Sequence, residues 1–220
     1  MNRKTCEKEG AKIIAEEIAE IILEKGLAVL AIPGGRSVSG IFNDLLKEKV
    51  DWKKVKIYMV DERLVTIDDD ESNYKLAYST FIKKLVDKKM ILEENIHPFR
   101  VEKGIKGYES ELKKDGGAYD ILLLSSGEDG HIGALYPDHH SIKDESDFYI
   151  EMDDSPKLPP KRMSMSKNLL LRSKVAILLF FGIAKKEALK KFQDENIEFT
   201  SCPGKLVKQL PKHYLLSDIQ

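Results

Sequence analysis

Four short, largely apolar runs limit what this chain can become: Leu27-Ala28-Val29-Leu30-Ala31-Ile32, Val55-Lys56-Ile57-Tyr58-Met59-Val60, Tyr119-Asp120-Ile121-Leu122-Leu123-Leu124 and Val175-Ala176-Ile177-Leu178-Leu179-Phe180-Phe181. Each is too short for an ordinary buried helix and ends at glycine, proline or charge, so each reads as a strand covered on both faces. Helical periodicity fills the intervals. Residues 5–25 carry Ile14, Ile18, Ile21 and Ile22 on one face, with Gly26 as a stop. Further helices are expected through Ile41, Phe42, Leu45 and Leu46, through Leu76, Ala77, Phe81 and Leu85, around Tyr108–Leu112, and from Ala184 to Phe192. His213–Leu216 is expected to close the sheet. Phe148–Met152 and Arg162–Ser166 alternate and read as less buried strands, joined by a loop with Pro156, Pro159 and Pro160. Strands alternating with helices predict an α/β fold: an open, largely parallel, doubly wound sheet with helices on both faces. No repeat or linker divides the 220 residues, so one domain, 1–220, is expected.

Composition narrows the partners. A chain that is 42% hydrophobic and 33% charged can bury a core beneath a charged surface. Its net charge of -1 gives no electrostatic case for nucleic acid or an anionic membrane. No apolar run is long enough to cross a bilayer, and the start, Met1-Asn2-Arg3-Lys4, leads into an amphipathic stretch rather than a signal-peptide core. Cys6 and Cys202 lack metal-ligand or redox-motif neighbours, which suits two reduced thiols in a soluble cytoplasmic protein.

Open parallel sheets bind ligands at the carboxyl ends of their strands, where four segments carry candidate chemistry. Pro33-Gly34-Gly35-Arg36-Ser37 lets the backbone approach a ligand ahead of a helix N-terminus, which suits phosphate. Its bland reading is an ordinary turn with Ser37 as N-cap. Asp61-Glu62-Arg63 places two acids and a bidentate phosphate donor after the second strand, against a bland reading as a surface ion-pair cluster. Gly127-Glu128-Asp129-Gly130-His131 sets an imidazole beside an acid able to fix its tautomer, against a tight turn with an incidental histidine. Gly182-Ile183-Ala184-Lys185 puts a lysine in a first helical turn, an unfavourable place for a cation unless an anion is bound. Lys186 and Lys190 are its solvent-facing comparison. No cluster of His or Cys accompanies His131, so no metal is expected. His139-His140 reads as a surface pair whose side chains point apart.

In expected order over most of the chain, five stretches resemble the 6-phosphogluconolactonase family within the glucosamine-6-phosphate deaminase-like group. They are Pro33–Ser37, Val60–Arg63 with Asp70–Asn73, Gly127–His131 with Leu135–Pro137, Ser155–Arg162, and Gly182–Leu189. The resemblance implies hydrolysis of 6-phosphoglucono-1,5-lactone to 6-phosphogluconate in the oxidative pentose phosphate pathway, without metal or cofactor. It implies His131 as the base that activates water, Asp129 as its orienting partner or a substrate contact, and Asp61 at the sugar end. Arg63 and Lys185 would hold the phosphate, assisted by Arg162, Ser37 and the Gly34-Gly35 turn. Two positions depart from the family pattern. Ser125 stands where glycine is common. Arg36 stands where a small hydroxyl residue is common, so no phosphate role is inherited there.

Two rival functions are weighed. A deaminase or isomerase of the related group would carry Asp-Gly-His-Ile-x-Phe-Asn-Glu-Pro, but Tyr136 occupies the Glu position here. A non-catalytic sugar-phosphate sensor would keep Arg63 and Lys185 and have no need of His131. In every reading the partner is a small sugar phosphate, and the oligomeric state is open.

Overall fold

The computed structural model describes residues 1–219, apart from the Arg36 side chain. The four apolar runs form the centre of a six-stranded sheet: β1 (Ala28–Ile32), β2 (Val55–Met59), β5 (Ile121–Ser125) and β8 (Val175–Phe180). A short strand, β4 (Ile96–His97), lies at one edge, and β9 (Lys212–Ser217) closes the other. The order is β4-β2-β1-β5-β8-β9 with every pairing parallel, as expected of strands apolar on both faces.

Strand alternation separates two cores. Ala28, Leu30 and Ile32 of β1 face one side, with Ile121 and Leu123 of β5 and Ile177 and Leu179 of β8. That side is covered by α1 (Arg3–Lys25) and α2 (Ser39–Leu45). A third element completes the cover: α3 (Asn73–Ala77) continues through a π-helical turn (Tyr78–Ile82) into α4 (Lys83–Asp87). Helix α1 ends as its sequence predicts, with Gly26 in the left-handed region at φ 83° returning its N–H to Ile22. Val29, Ala31, Leu122, Leu124, Ala176 and Leu178 face the other side. There they meet α5 (Gly104–Lys114), α7 (Lys167–Leu171) and α8 (Lys186–Gln193).

Two expectations require correction. Asp61–Arg63, expected as a loop after the second strand, is strand β3, which joins β7 (Arg162–Met165) and β6 (Tyr149–Met152) in an antiparallel sheet of order β3-β7-β6. Nor is β7 lightly covered: all four of its residues are buried. Of its polar positions, Arg162 lines a cavity and Ser164 Oγ accepts the Ala134 N–H at 3.0 Å. The small sheet shares the second core through Tyr149, Ile150, Met163 and Met165. Cys6 and Cys202 are free, buried, and on opposite sides of the large sheet. Among the described residues, no helix is long and apolar enough to cross a membrane.

Candidate active site

The strand order reverses between β1 and β5. From β1 the chain moves toward β2 and β4; from β5 it moves toward β8 and β9. Loops leaving such a pair diverge and open a crevice at the carboxyl ends. A cavity of about 420 Å³ lies there, lined by Gly34, Gly35 and Ser37 after β1, and by Asp61 and Arg63 of β3. His131 beyond β5, Arg162 of β7 and Lys185 after β8 complete the predicted set on its wall. Asp129, the remaining predicted residue, stands behind His131. A second cavity of about 450 Å³, beside edge strand β4 and lined by Tyr74, Tyr78 and Ile96, holds none of them.

At one end of the crevice is the His–Asp pair. Asp129 Oδ1 accepts the His131 backbone N–H at 3.1 Å and meets its ring Nδ1 at 2.6 Å. Burial pushes the Asp129 carboxyl up, but its hydrogen bond with His131 outweighs this and holds it below the usual range. An ionised carboxylate only accepts, so Nδ1 carries a proton and the lone pair of the neutral imidazole is on Nε2. Gly127 makes room: a Cβ there would lie 2.2 Å from His131 Nδ1 and 2.7 Å from Asp129 Oδ1. The imidazole also meets the Tyr136 ring, centroids 4.9 Å apart.

At the other end, Lys185 Nζ donates to Ser125 Oγ at 2.8 Å, and Ser37 Oγ donates to the same oxygen at 3.0 Å. Burial first, and Arg3 second, lower the Lys185 ammonium to about 8; Glu128 and Asp218 only partly oppose them. Ser37 is not an N-cap. It lies in a 3₁₀ turn (Arg36–Val38), and α2 has Val38 at its cap with no side-chain bond. Gly35 takes φ 109°, while Gly34 lets Asn73 approach to 2.2 Å of where its Cβ would be. The Arg36 side chain lies outside the described residues.

Between the ends sits a buried charged wall. Asp61 is raised by burial, against the pull of Arg162 at 3.8 Å. Asn73 Nδ2 donates to its carboxylate at 3.1 Å. The Arg162 fork is engaged by the 156–161 loop, with Nε on the Pro159 carbonyl and Nη2 on that of Leu158. Arg63 bonds the Glu71 carbonyl, and its buried Nε has no hydrogen-bond partner among the described residues. Glu62 turns away from the surface-cluster reading altogether. Buried to 1% exposure, it accepts the N–H groups of Asn73 and Tyr74, each at 2.7 Å, and so fixes the start of α3.

Sequence reasoning passed over several of these groups. Lys157, on the proline-rich loop, reaches 3.6 Å from Asp129 Oδ2 and lines the cavity. Arg3, far off in sequence, donates to the Ser37 carbonyl at 2.7 Å. The reading of His139-His140 also fails for His139, which is half-buried as the N-cap of α6 (His140–Lys143). His139 is extended but His140 begins the helix, so the strand alternation is broken, the ring centroids lie 4.1 Å apart and both Nε2 atoms approach Asp154. These three residues could hold a metal ion by position. However, the His139 Nδ1 accepts the Ser141 N–H at 3.2 Å. In the neutral ring that puts the proton on Nε2, which lies 3.5 Å from Asp154 Oδ1, makes no hydrogen bond among the described residues, and offers a metal no lone pair.

Fold and site together define an α/β protein whose switch-point crevice sets a His–Asp pair opposite an anion-seeking lysine. A family described as glucosamine-6-phosphate isomerases/6-phosphogluconolactonase matches residues 2–215. The 6-phosphogluconolactonase of Borreliella burgdorferi is 34% identical over 196 residues, covering 87% of this chain and 83% of that one. Among solved structures, the 6-phosphogluconolactonase of Thermotoga maritima superposes with TM-score 0.82 at 21% identity, covering 94% of this chain and 92% of that one. A monomeric glucosamine-6-phosphate deaminase superposes with TM-score 0.80 at 22% identity over 99% and 94%. These two likenesses establish the fold. The chain belongs to the glucosamine-6-phosphate isomerase/6-phosphogluconolactonase family.

Proposed function

We propose that the chain hydrolyses 6-phosphoglucono-1,5-lactone to 6-phosphogluconate, with His131 as general base. The observation that carries this reading is the Asp129-locked imidazole, its Nε2 lone pair left for chemistry, in the same crevice as Lys185. Nε2 takes a proton from water as the water oxygen bonds to the lactone carbonyl carbon. The tetrahedral intermediate collapses by breaking the ring C–O bond, and the proton on His131 passes to the departing oxygen. A lactone carbonyl is already electrophilic, so a positioned base and water supply the step, a contribution of about 10²–10⁴-fold.

Asp129 holds the tautomer throughout. Lys185 and Arg63 take the phosphate, with Ser37 and the Gly34-Gly35 turn beside it. Arg162 keeps the 156–161 loop against the site, and Asp61 faces the sugar. None of these roles calls for a metal or cofactor. Two unpaired cysteines are consistent with the reducing cytoplasm, where we place the protein.

The deaminase reading is weakened by Tyr136. Where the related pattern has an acid, this residue is buried and its hydroxyl accepts from Ser155 Oγ at 2.9 Å. Release of acid from the lactone, followed by pH-stat above the spontaneous background, tests the proposal against ammonia release from glucosamine 6-phosphate. Accelerated acid release is expected. Ammonia release without lactone turnover would overturn the assignment.

A further inference from the structure

The carboxyl ends of three adjacent strands meet at one hydroxyl. Ser125 ends β5, Ser37 follows β1 on one side of it, and Lys185 follows β8 on the other. Ser125 Oγ receives both of its neighbours' hydrogen bonds, at 3.0 and 2.8 Å. A serine oxygen has two lone pairs and one proton. Whichever way the Ser37–Ser125 bond runs, one hydroxyl proton of the pair is left over, and no acceptor among the described residues takes it.

The surroundings say what that acceptor should be. Lys185 is a half-buried ammonium whose hydrogen-bond partner among the described residues is a neutral hydroxyl. The Arg3 guanidinium stands behind Ser37, bonded to its carbonyl. Arg3 is itself paired with Glu7 at 2.6 Å, so the cation left for a ligand beside this hydroxyl pair is Lys185, on the wall of a cavity that also exposes Arg63. Hydrogen bonds from such groups to an anionic oxygen are short and strong.

The geometry points to Ser125 as a phosphate-contacting residue that sets how tightly this protein holds phosphorylated sugars. Its hydroxyl keeps Lys185 and Ser37 in register and donates its own proton to a phosphate oxygen. The inference rests on the proposed sugar-phosphate site but not on the hydrolytic step. The hydroxyl is a departure from the family pattern noted above, where glycine is common at this position.

Binding of 6-phosphogluconate, and separately of inorganic phosphate, is measured by calorimetry for the wild type, Ser125→Ala and Ser125→Thr. Ser125→Ala is expected to weaken 6-phosphogluconate about tenfold, the size of one hydrogen bond to a charged acceptor, and to weaken inorganic phosphate in parallel. Ser125→Thr restores the hydroxyl and is expected to bind within about threefold of wild type. Alanine and wild-type affinities within twofold of each other would overturn the proposal, as would a wild type that binds neither ligand. Loss in Ser125→Ala with rescue in Ser125→Thr, in a protein that fails to turn over lactone, would support Ser125 while overturning the hydrolytic reading.

Discussion

Gly127→Ala offers a sharp test of how the base is held, because the geometry sets its size. The added methyl would sit 2.2 Å from both Nδ1 and Cε1 of His131 and 2.7 Å from Asp129 Oδ1. Relief to ordinary contact near 3.5 Å needs a shift of roughly 1.3 Å, since packed side chains do not interpenetrate. Gly127 has no positive φ, so the backbone itself accepts alanine. The ring packs against Tyr136 and is bonded to Asp129, so relieving the clash displaces the imidazole and strains that bond. A displacement of about 1 Å at a reacting group costs on the order of 10²-fold in rate. Overpacking of this kind costs about 1–3 kcal/mol in a closed core, and the open crevice puts this site at the low end.

The expected variant is folded, with a melting temperature lowered by roughly 2–4 °C and kcat/KM for the lactone down about a hundredfold. Its affinity for 6-phosphogluconate should persist, because the Lys185 end is untouched. Steady-state pH-stat kinetics and a thermal melt read both quantities. Activity within threefold of wild type in a correctly folded Gly127→Ala would refute the claim that the Gly127 gap fixes a catalytic imidazole.

Three further predictions follow from the other parts of the site. Lys185→Ala should weaken 6-phosphogluconate binding; an unchanged dissociation constant would remove Lys185 from the phosphate site. In the wild type, Lys185 is charged below its value of about 8. Phosphate affinity should therefore be full below that pH and decline as pH rises through it, and calorimetry from pH 6.5 to 9.5 would show a flat profile if the lysine played no part. Glu62→Ala leaves the Asn73 and Tyr74 N–H groups without their acceptor, at about 1–3 kcal/mol per unsatisfied group. A urea midpoint equal to wild type would show that Glu62 does not secure α3.

Much of the frame was legible because burial on both faces writes itself as uninterrupted apolar sequence: β1, β2, β5 and β8 all fall where their runs do. The small sheet was not. Asp61-Glu62-Arg63 has no apolar signal, since its side chains face a polar crevice or cap a helix, and the alternation in β7 imitated a solvent face because Arg162 and Ser164 are buried against polar partners. The site was readable where one loop contains its own chemistry, as at Asp129-Gly130-His131. It was hidden where partners come from distant segments. Arg3 reaches Ser37 across 34 positions and Lys185 reaches Ser125 across 60, and no local pattern records either. Gly127 was visible as a turn glycine, but the reason for it, clearance for an imidazole, exists only in three dimensions.

The most direct test of the whole account is the rate of 6-phosphoglucono-1,5-lactone hydrolysis above its spontaneous background in the wild type and in His131→Ala, with 6-phosphogluconate affinity measured on both. The account predicts fast wild-type turnover, a fall of about 10²–10⁴-fold on losing the base, and retained phosphosugar binding. Equal turnover by the two proteins would contradict it.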